Sequence, residues 1–288
     1  MKKLALVGCL AVLACSRQQP VAPQDLHYTV GPAWQAGNKW FYPREDFAWQ
    51  GTGLAVREPP QAEGHLTADG EVWGAASMTG SHQTLQLPAV VRVTNLDNGR
   101  QIVIRLNDRG PNDPGRMIGL SPRAADLLGV GKEPARVQVV EDEMASRQFA
   151  EVLPGGPMLQ ISAAPLEKVQ QTALGNAAVD RQGLTVLADN TTQETPAPGK
   201  VVLVDLPATV MQGAPVSSML WVETMDFTSR LAAMRQAAAQ GASVRPVFLG
   251  HGTMWAVRYG PFTTISEADA ALKRALATGL TGSHIVVE

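Results

Sequence analysis

A chain of 288 residues, 45% hydrophobic and 17% charged, is too apolar to be disordered throughout and is long enough for about two domains. A formal net charge of −2 offers no global field for nucleic acid. Both cysteines, Cys9 and Cys15, lie at the N-terminus, so nothing beyond residue 15 can form a disulfide framework or a cysteine-ligated metal site.

The chain opens Met1-Lys2-Lys3 and is apolar over residues 4–14. A basic start, a short apolar run and small residues at its end describe a secretory signal, too short to persist as a spanning helix. Val12-Leu13-Ala14-Cys15 resembles a bacterial lipobox, in which cleavage leaves Cys15 as the first mature residue, lipidated on its sulfur and amine. Ser16 rather than aspartate follows, which by that resemblance implies the outer membrane, facing the periplasm. Two or more acyl chains would anchor the chain stably. An ordinary signal peptide with an incidental cysteine is the other reading. Residues 1–14 are thus expected as signal and 15–27 as a polar, proline-containing tether.

Trp34, Trp40, Phe41, Tyr42, Phe47 and Trp49 follow. They can stack on sugars or pack an N-terminal extension against the next unit, and packing is the preferred reading. Strand signals then dominate residues 51–140. Val91-Arg92-Val93-Thr94 alternates, Asn98-Gly99 signals a hairpin, and Ile102, Ile104 and Leu106 share one strand face. Ser121 as N-cap, Pro122 at the first helical position and Gly129 past the end mark a short helix. Arg136-Val137-Gln138-Val139-Val140 is a closing strand. Short strands and one small helix in roughly ninety residues suggest a small barrel over residues 28–142.

Residues 143–215 are expected as linker with short strands, since Pro154-Gly155-Gly156-Pro157 and residues 191–198 are turn- and proline-rich. Residues 216–288 read strand, helix, strand, strand, helix, strand. Residues 230–240 are alanine-rich and stopped by Gly241, and Ser266 with Asp269 nearly matches a capping box for the second helix. Leu272, Ala275 and Leu276 give that helix its apolar face. The order is ferredoxin-like, βαββαβ. The fold class expected for the whole chain is mainly β plus α+β.

Glycosidic cleavage needs an acid to protonate the leaving oxygen and a site that stabilises an oxocarbenium-like transition state. Glu71 and Asp108 are candidate carboxyls, with His82 between them in sequence. Asp108 closes a strand just before Arg109-Gly110-Pro111, where a rigid scaffold can present a side chain; an ordinary turn-forming aspartate is the bland alternative. Thr67-Ala68-Asp69-Gly70-Glu71, Thr79-Gly80-Ser81-His82 and Asn107-Asp108-Arg109-Gly110-Pro111 resemble, in words and spacing, the functional segments of the rare lipoprotein A (RlpA) family. Val257-Arg258-Tyr259-Gly260-Pro261-Phe262 resembles the SPOR domain, whose members bind peptide-stripped glycan strands.

These resemblances imply a double-psi β-barrel followed by a ferredoxin-like SPOR domain. They imply a lytic transglycosylase with Asp108, Glu71 and His82 catalytic, acting in wall remodelling and daughter-cell separation. The partners implied are peptidoglycan glycan strands, envelope lipid through Cys15, and septal proteins. No cofactor, metal or nucleic acid is expected. Arg105, Arg109 and Arg116 can contact lactyl or N-acetyl groups or serve as ordinary ion-paired arginines. Trp255, Arg258 and Tyr259 are the glycan candidates of the second unit; Trp255 and Tyr259 share a strand face that can stack sugars or pack under the helices.

Three departures from the family pattern stand out. Ile118-Gly119-Leu120-Ser121 lacks the aspartate of the family's Ile-Asp-Leu-Ser. Leu54-Ala55-Val56-Arg57-Glu58 replaces Ala-Ser-Trp-Tyr-Gly. Ala62-Glu63-Gly64 replaces Phe-His-Gly, with His65 one step later. They leave open a non-catalytic wall-binding lipoprotein, or a loosening protein of expansin type.

Overall fold

The computed structural model describes residues 24–37, 39–62, 64–157, 203–249 and 252–288. The expected signal, Cys15, most of the tether and the middle of the expected linker lie outside the described residues. Among these, no helix is long and apolar enough to cross a membrane.

β1 (Trp34–Ala36) and β2 (Lys39–Phe41) make a small hairpin. β3 (Gln50–Arg57), β4 (Thr79–His82), β5 (Ala89–Asn95), β6 (Arg100–Asp108), β7 (Ile118–Leu120) and β8 (Ala135–Glu141) form a closed six-strand barrel. The ring runs β4-β7-β3-β8-β5-β6 and returns to β4. β3 with β7 and β4 with β6 are parallel; the remaining ring pairs are antiparallel. Closure leaves the ring no unpaired edge.

The alternation read from the sequence builds the barrel core. Val91, Val93, Ile102, Ile104, Val137 and Val139 all point inward and are fully buried. Each such burial contributes roughly 1.5–3 kcal/mol. The Asn98-Gly99 turn joins β5 to β6, with Gly99 at φ 75° and Thr94 opposite Gln101. The predicted short helix is α1 (Pro122–Leu128). Ser121 Oγ accepts from Ala124 N at 3.2 Å, and Gly129 caps the other end in the left-handed region.

α2 (Glu143–Val152) differs from expectation, because the span read as linker opens with a helix. Asp142 caps it by accepting from Ala145 N, and Ser146 Oγ accepts from Val90 N on β5. The helix is held by these barrel contacts and by Phe149, Ala150 and Leu153, which cluster with Tyr28 and Phe47. β9 (Met211–Gln212) then adds to the start of β6.

β10 (Leu220–Phe227), α3 (Arg230–Gln240), β11 (Ser243–Leu249), β12 (Gly252–Phe262), α4 (Ile265–Ala277) and β13 (His284–Val287) follow. Their antiparallel sheet, β11-β12-β10-β13, is the ferredoxin-like order. The cap of α4 corrects the sequence reading. Thr264, not Ser266, is the N-cap, and Glu267 reaches back to Thr264 N in a full capping box. Glu267 has one more methylene than Asp269 with which to close the box. Asp269 instead faces the barrel, where Arg116 donates to both its oxygens at 2.7 and 2.8 Å. Lys39 Nζ also reaches Ser283 O at 2.9 Å, and barrel residue Leu54 joins the core of the C-terminal unit with Leu220 and Leu272.

Candidate active site

The β4–β6 ladder organises the barrel's polar end. Asp108 is the last residue of β6 and lies opposite Ser81 of β4. Its Oδ1 accepts from Ala68 N at 3.1 Å and Arg109 N at 2.8 Å. Burial nevertheless pushes its carboxyl above the usual range, outweighing those two amides and the charges of His65 and Arg109. Ser81 Oγ donates to Glu58, just beyond β3, whose carboxyl is raised by burial and by repulsion from Asp108. Glu58 sits here because β3 runs parallel to β7, with Arg57 opposite Leu120 and Glu58 N bonded to Leu120 O.

Glu71 reaches the other side of β6. Arg105 Nη2 pairs with its Oε1 at 2.7 Å, and Asn107 Nδ2 donates to its Oε2 at 2.5 Å. Arg105 and Asn107 alternate with Leu106 and Asp108, so Glu71 and Asp108 approach opposite faces of one strand. The loop over residues 67–71 links them, since Ala68 N meets Asp108 while Asp69 N bonds to Asn107 O. Asp69 is fully buried beneath this pair, and desolvation followed by repulsion from Glu71 pushes its carboxyl up to about 7.

His82 follows Ser81. Its Nδ1 accepts from Thr84 N and Leu85 N at 3.2 and 3.1 Å, which puts its proton on Nε2. Trp49 meets the ring edge-on, with centroids 4.8 Å apart. Burial first and Arg109 second hold the imidazole down at about 3, so His82 is neutral. The structure therefore strings the three predicted residues around the end of one ladder, each on its own anchors. No hydrogen bond between their side chains is found among the described residues.

The predicted arginines separate. Arg105 is buried in its pair with Glu71. Arg109 donates to the carbonyls of Leu85 and Val30, pinning the loop after β6. Arg116 joins the two units while lining a cleft of about 830 Å³, together with Trp40, Tyr42, Trp49, His82, Glu223 and Arg245. The N-terminal aromatics divide likewise. Trp34 stacks on Phe41 at 4.7 Å, whereas Trp40 and Tyr42 are exposed beside the cleft.

In the C-terminal sheet, Trp255 packs beside α3 and Tyr259 against the α4 core, so their shared face is the helix-covered one. Arg258 points to the opposite face, over the Trp221 ring at 4.0 Å, and pairs with Glu288 at 2.6 Å. The sequence alone does not single out Trp221, under Arg258, or Glu58, beside Ser81. Period-two alternation separates Trp221 from Val222, but no local signal places it under Arg258. Among the described residues, no group of three or more His, Cys, Asp or Glu side chains could hold a metal ion.

A family profile described as lytic transglycolase matches residues 36–139, and a SPOR domain profile matches residues 226–286. Several relatives carry the name endolytic peptidoglycan transglycosylase RlpA, among them the following. The one from Yersinia pestis is 38% identical over 153 residues, 45% of this chain and 42% of its own length. The one from Pseudomonas aeruginosa is 32% identical over 241 residues, 80% of this chain and 69% of the relative. The one from Escherichia coli K12 is 28% identical over 270 residues, covering 77% and 74%.

Proposed function

This chain belongs to the RlpA family of endolytic peptidoglycan transglycosylases, and from that premise we propose that it cleaves MurNAc–GlcNAc bonds of peptidoglycan glycan strands to 1,6-anhydroMurNAc ends. The observation that carries this reading is Asp108. A carboxyl at a rigid strand end, desolvated so that it keeps its proton to higher pH, is suited to general-acid work. Its Oδ1 accepts from two backbone amides, and no partner for Oδ2 is found among the described residues, so Oδ2 is the oxygen we assign to substrate.

In the step proposed, Asp108 gives its proton to the leaving GlcNAc O4 as the C1–O4 bond breaks. The MurNAc 6-hydroxyl then bonds to C1 and loses its proton to the Asp108 carboxylate. The acid is regenerated and no water is added. Glu71, locked to Arg105 and Asn107, holds the strand that carries Asp108. Neutral His82 offers Nε2–H as a donor beside Trp49. Asp108→Asn keeps the shape and removes the proton, so cleavage should fall by on the order of 100-fold or more. A fully active variant would sink the assignment.

The C-terminal SPOR domain binds peptidoglycan, and we assign peptide-stripped strands to its helix-free face around Trp221 and Arg258. The chain is a cell-envelope protein. Lipidation at Cys15, outer-membrane anchoring and septal partners belong to the same proposal, on the strength of the Val12-Leu13-Ala14-Cys15 motif. The wall-binding protein without catalysis is the less favoured reading, since the carboxyl needed for cleavage is present and poised.

A further inference from the structure

We propose that Glu58 is a second carboxyl of the active site, standing in the space that a side chain on residue 119 would take and acting through Asp108. The inference rests on the transglycosylase reading above. Its ground is steric. Gly119 is the middle residue of β7, and a Cβ there would collide with the Glu58 carboxyl and with Ser81 Oγ. A Cβ on Gly110, two residues past Asp108, would lie 3.6 Å from Glu58 Oε1 and 3.0 Å from Ser81 Oγ. Glu58 thus fills the gap between β4, β7 and the loop that follows Asp108, and Ser81 Oγ donates to it there. The carboxylate missing from Ile118-Gly119-Leu120 is delivered from the neighbouring strand instead.

Asp108 lies opposite Ser81 in the ladder register, Ser81 Oγ donates to Glu58, and the Asp108 charge acts on Glu58, so two carboxyls share one half-buried setting. Two such groups do not both ionise readily, because each negative charge raises the proton affinity of the other. The surrounding charges do not cancel this. Arg57 is turned outward to Asp126 on α1, and the Arg109 guanidinium is engaged by the carbonyls of Leu85 and Val30. His65 and Arg109 lower the proton affinity of Asp108, but burial outweighs both. Ser81, Gly119 and Leu120 bring no charge to Glu58. The repulsion falls on Glu58, whose proton affinity Asp108 raises, so Glu58 is a positioning residue for the proton and the pair together holds one proton to a higher pH than Asp108 alone would.

The test is the pH profile of kcat/KM for anhydro-end formation on amidase-stripped peptidoglycan. It compares wild type, Glu58→Gln and the double variant Glu58→Ala with Gly119→Asp. Gln can still accept from Ser81 Oγ, so the fold is kept while the charge is lost. The alkaline limb should move about one pH unit lower in Glu58→Gln. KM should stay within twofold, and the double variant should return the limb toward wild type. Glu58→Gln with an unshifted limb, in the presence of wild-type cleavage, would overturn the role of Glu58 alone. No cleavage by wild type would overturn the transglycosylase reading and this inference together.

Discussion

Glu71→Gln separates two ways in which Glu71 can matter. Its side chain is 10% exposed and that of its partner Arg105 only 4%. The Arg105 Nε lacks a hydrogen-bond partner among the described residues, so Glu71 is the carboxylate that balances a buried guanidinium. Removing one partner of a buried pair costs about 3–5 kcal/mol, because the other charge stays desolvated. The amide keeps the shape and one acceptor, so the lower figure, about 3 kcal/mol, applies. At about 2–4 °C per kcal/mol, the unfolding midpoint should fall by roughly 6–12 °C. Arg105→Met should cost a similar amount. The double variant should recover to within about 1 kcal/mol of wild type, since neither charge is left stranded. The assays are thermal unfolding for the midpoint and urea unfolding for the free energy, both followed by tryptophan fluorescence on the soluble chain starting at Ser16. Glu71→Gln with unchanged unfolding but abolished cleavage would refute the reasoning, placing Glu71 on the substrate and not under β6.

Three further outcomes follow from the geometry. His82 has a folded value of about 3, below its unfolded value near 6.5, so the unfolded chain takes up the proton first and stability falls as pH drops through that window. His82→Gln should remove up to about 1.4 kcal/mol per pH unit of this acid sensitivity, read by urea midpoints at pH 7 and pH 5. Gly80→Ala would drive a Cβ into the Gly119 carbonyl across the β4–β7 ladder. As backbone cannot swing aside, at least about 1–3 kcal/mol should be lost, measured in the same unfolding assay. Trp221→Ala and Arg258→Ala should each weaken retention on stripped glycan several-fold in a pelleting assay while leaving the barrel's unfolding unchanged.

What was legible in the sequence was what is local. Ser121, Pro122 and Gly129 bounded α1 because capping needs only residues in contact along the chain. The alternation of β5, β6 and β8 exposed the core for the same reason. The capping box slipped by two residues because Thr264 and Ser266 offer competing patterns, and side-chain reach decides between them. α2 was hidden because its support comes from Val90 and Tyr28, distant in sequence. The site divides along this line. Asp108, Glu71 and His82 are recognisable from their surrounding words. The Arg105–Glu71 pair and the Glu58 carboxyl in the space beside Gly119 depend on strand register, which no window of a few residues contains.

The most direct measurement is digestion of amidase-stripped peptidoglycan by the soluble chain starting at Ser16, read by mass spectrometry. Fragments ending in 1,6-anhydroMurNAc that disappear in Asp108→Asn are the predicted result. Protein retained on the glycan pellet with no such fragments would contradict the account and make the barrel a binding module.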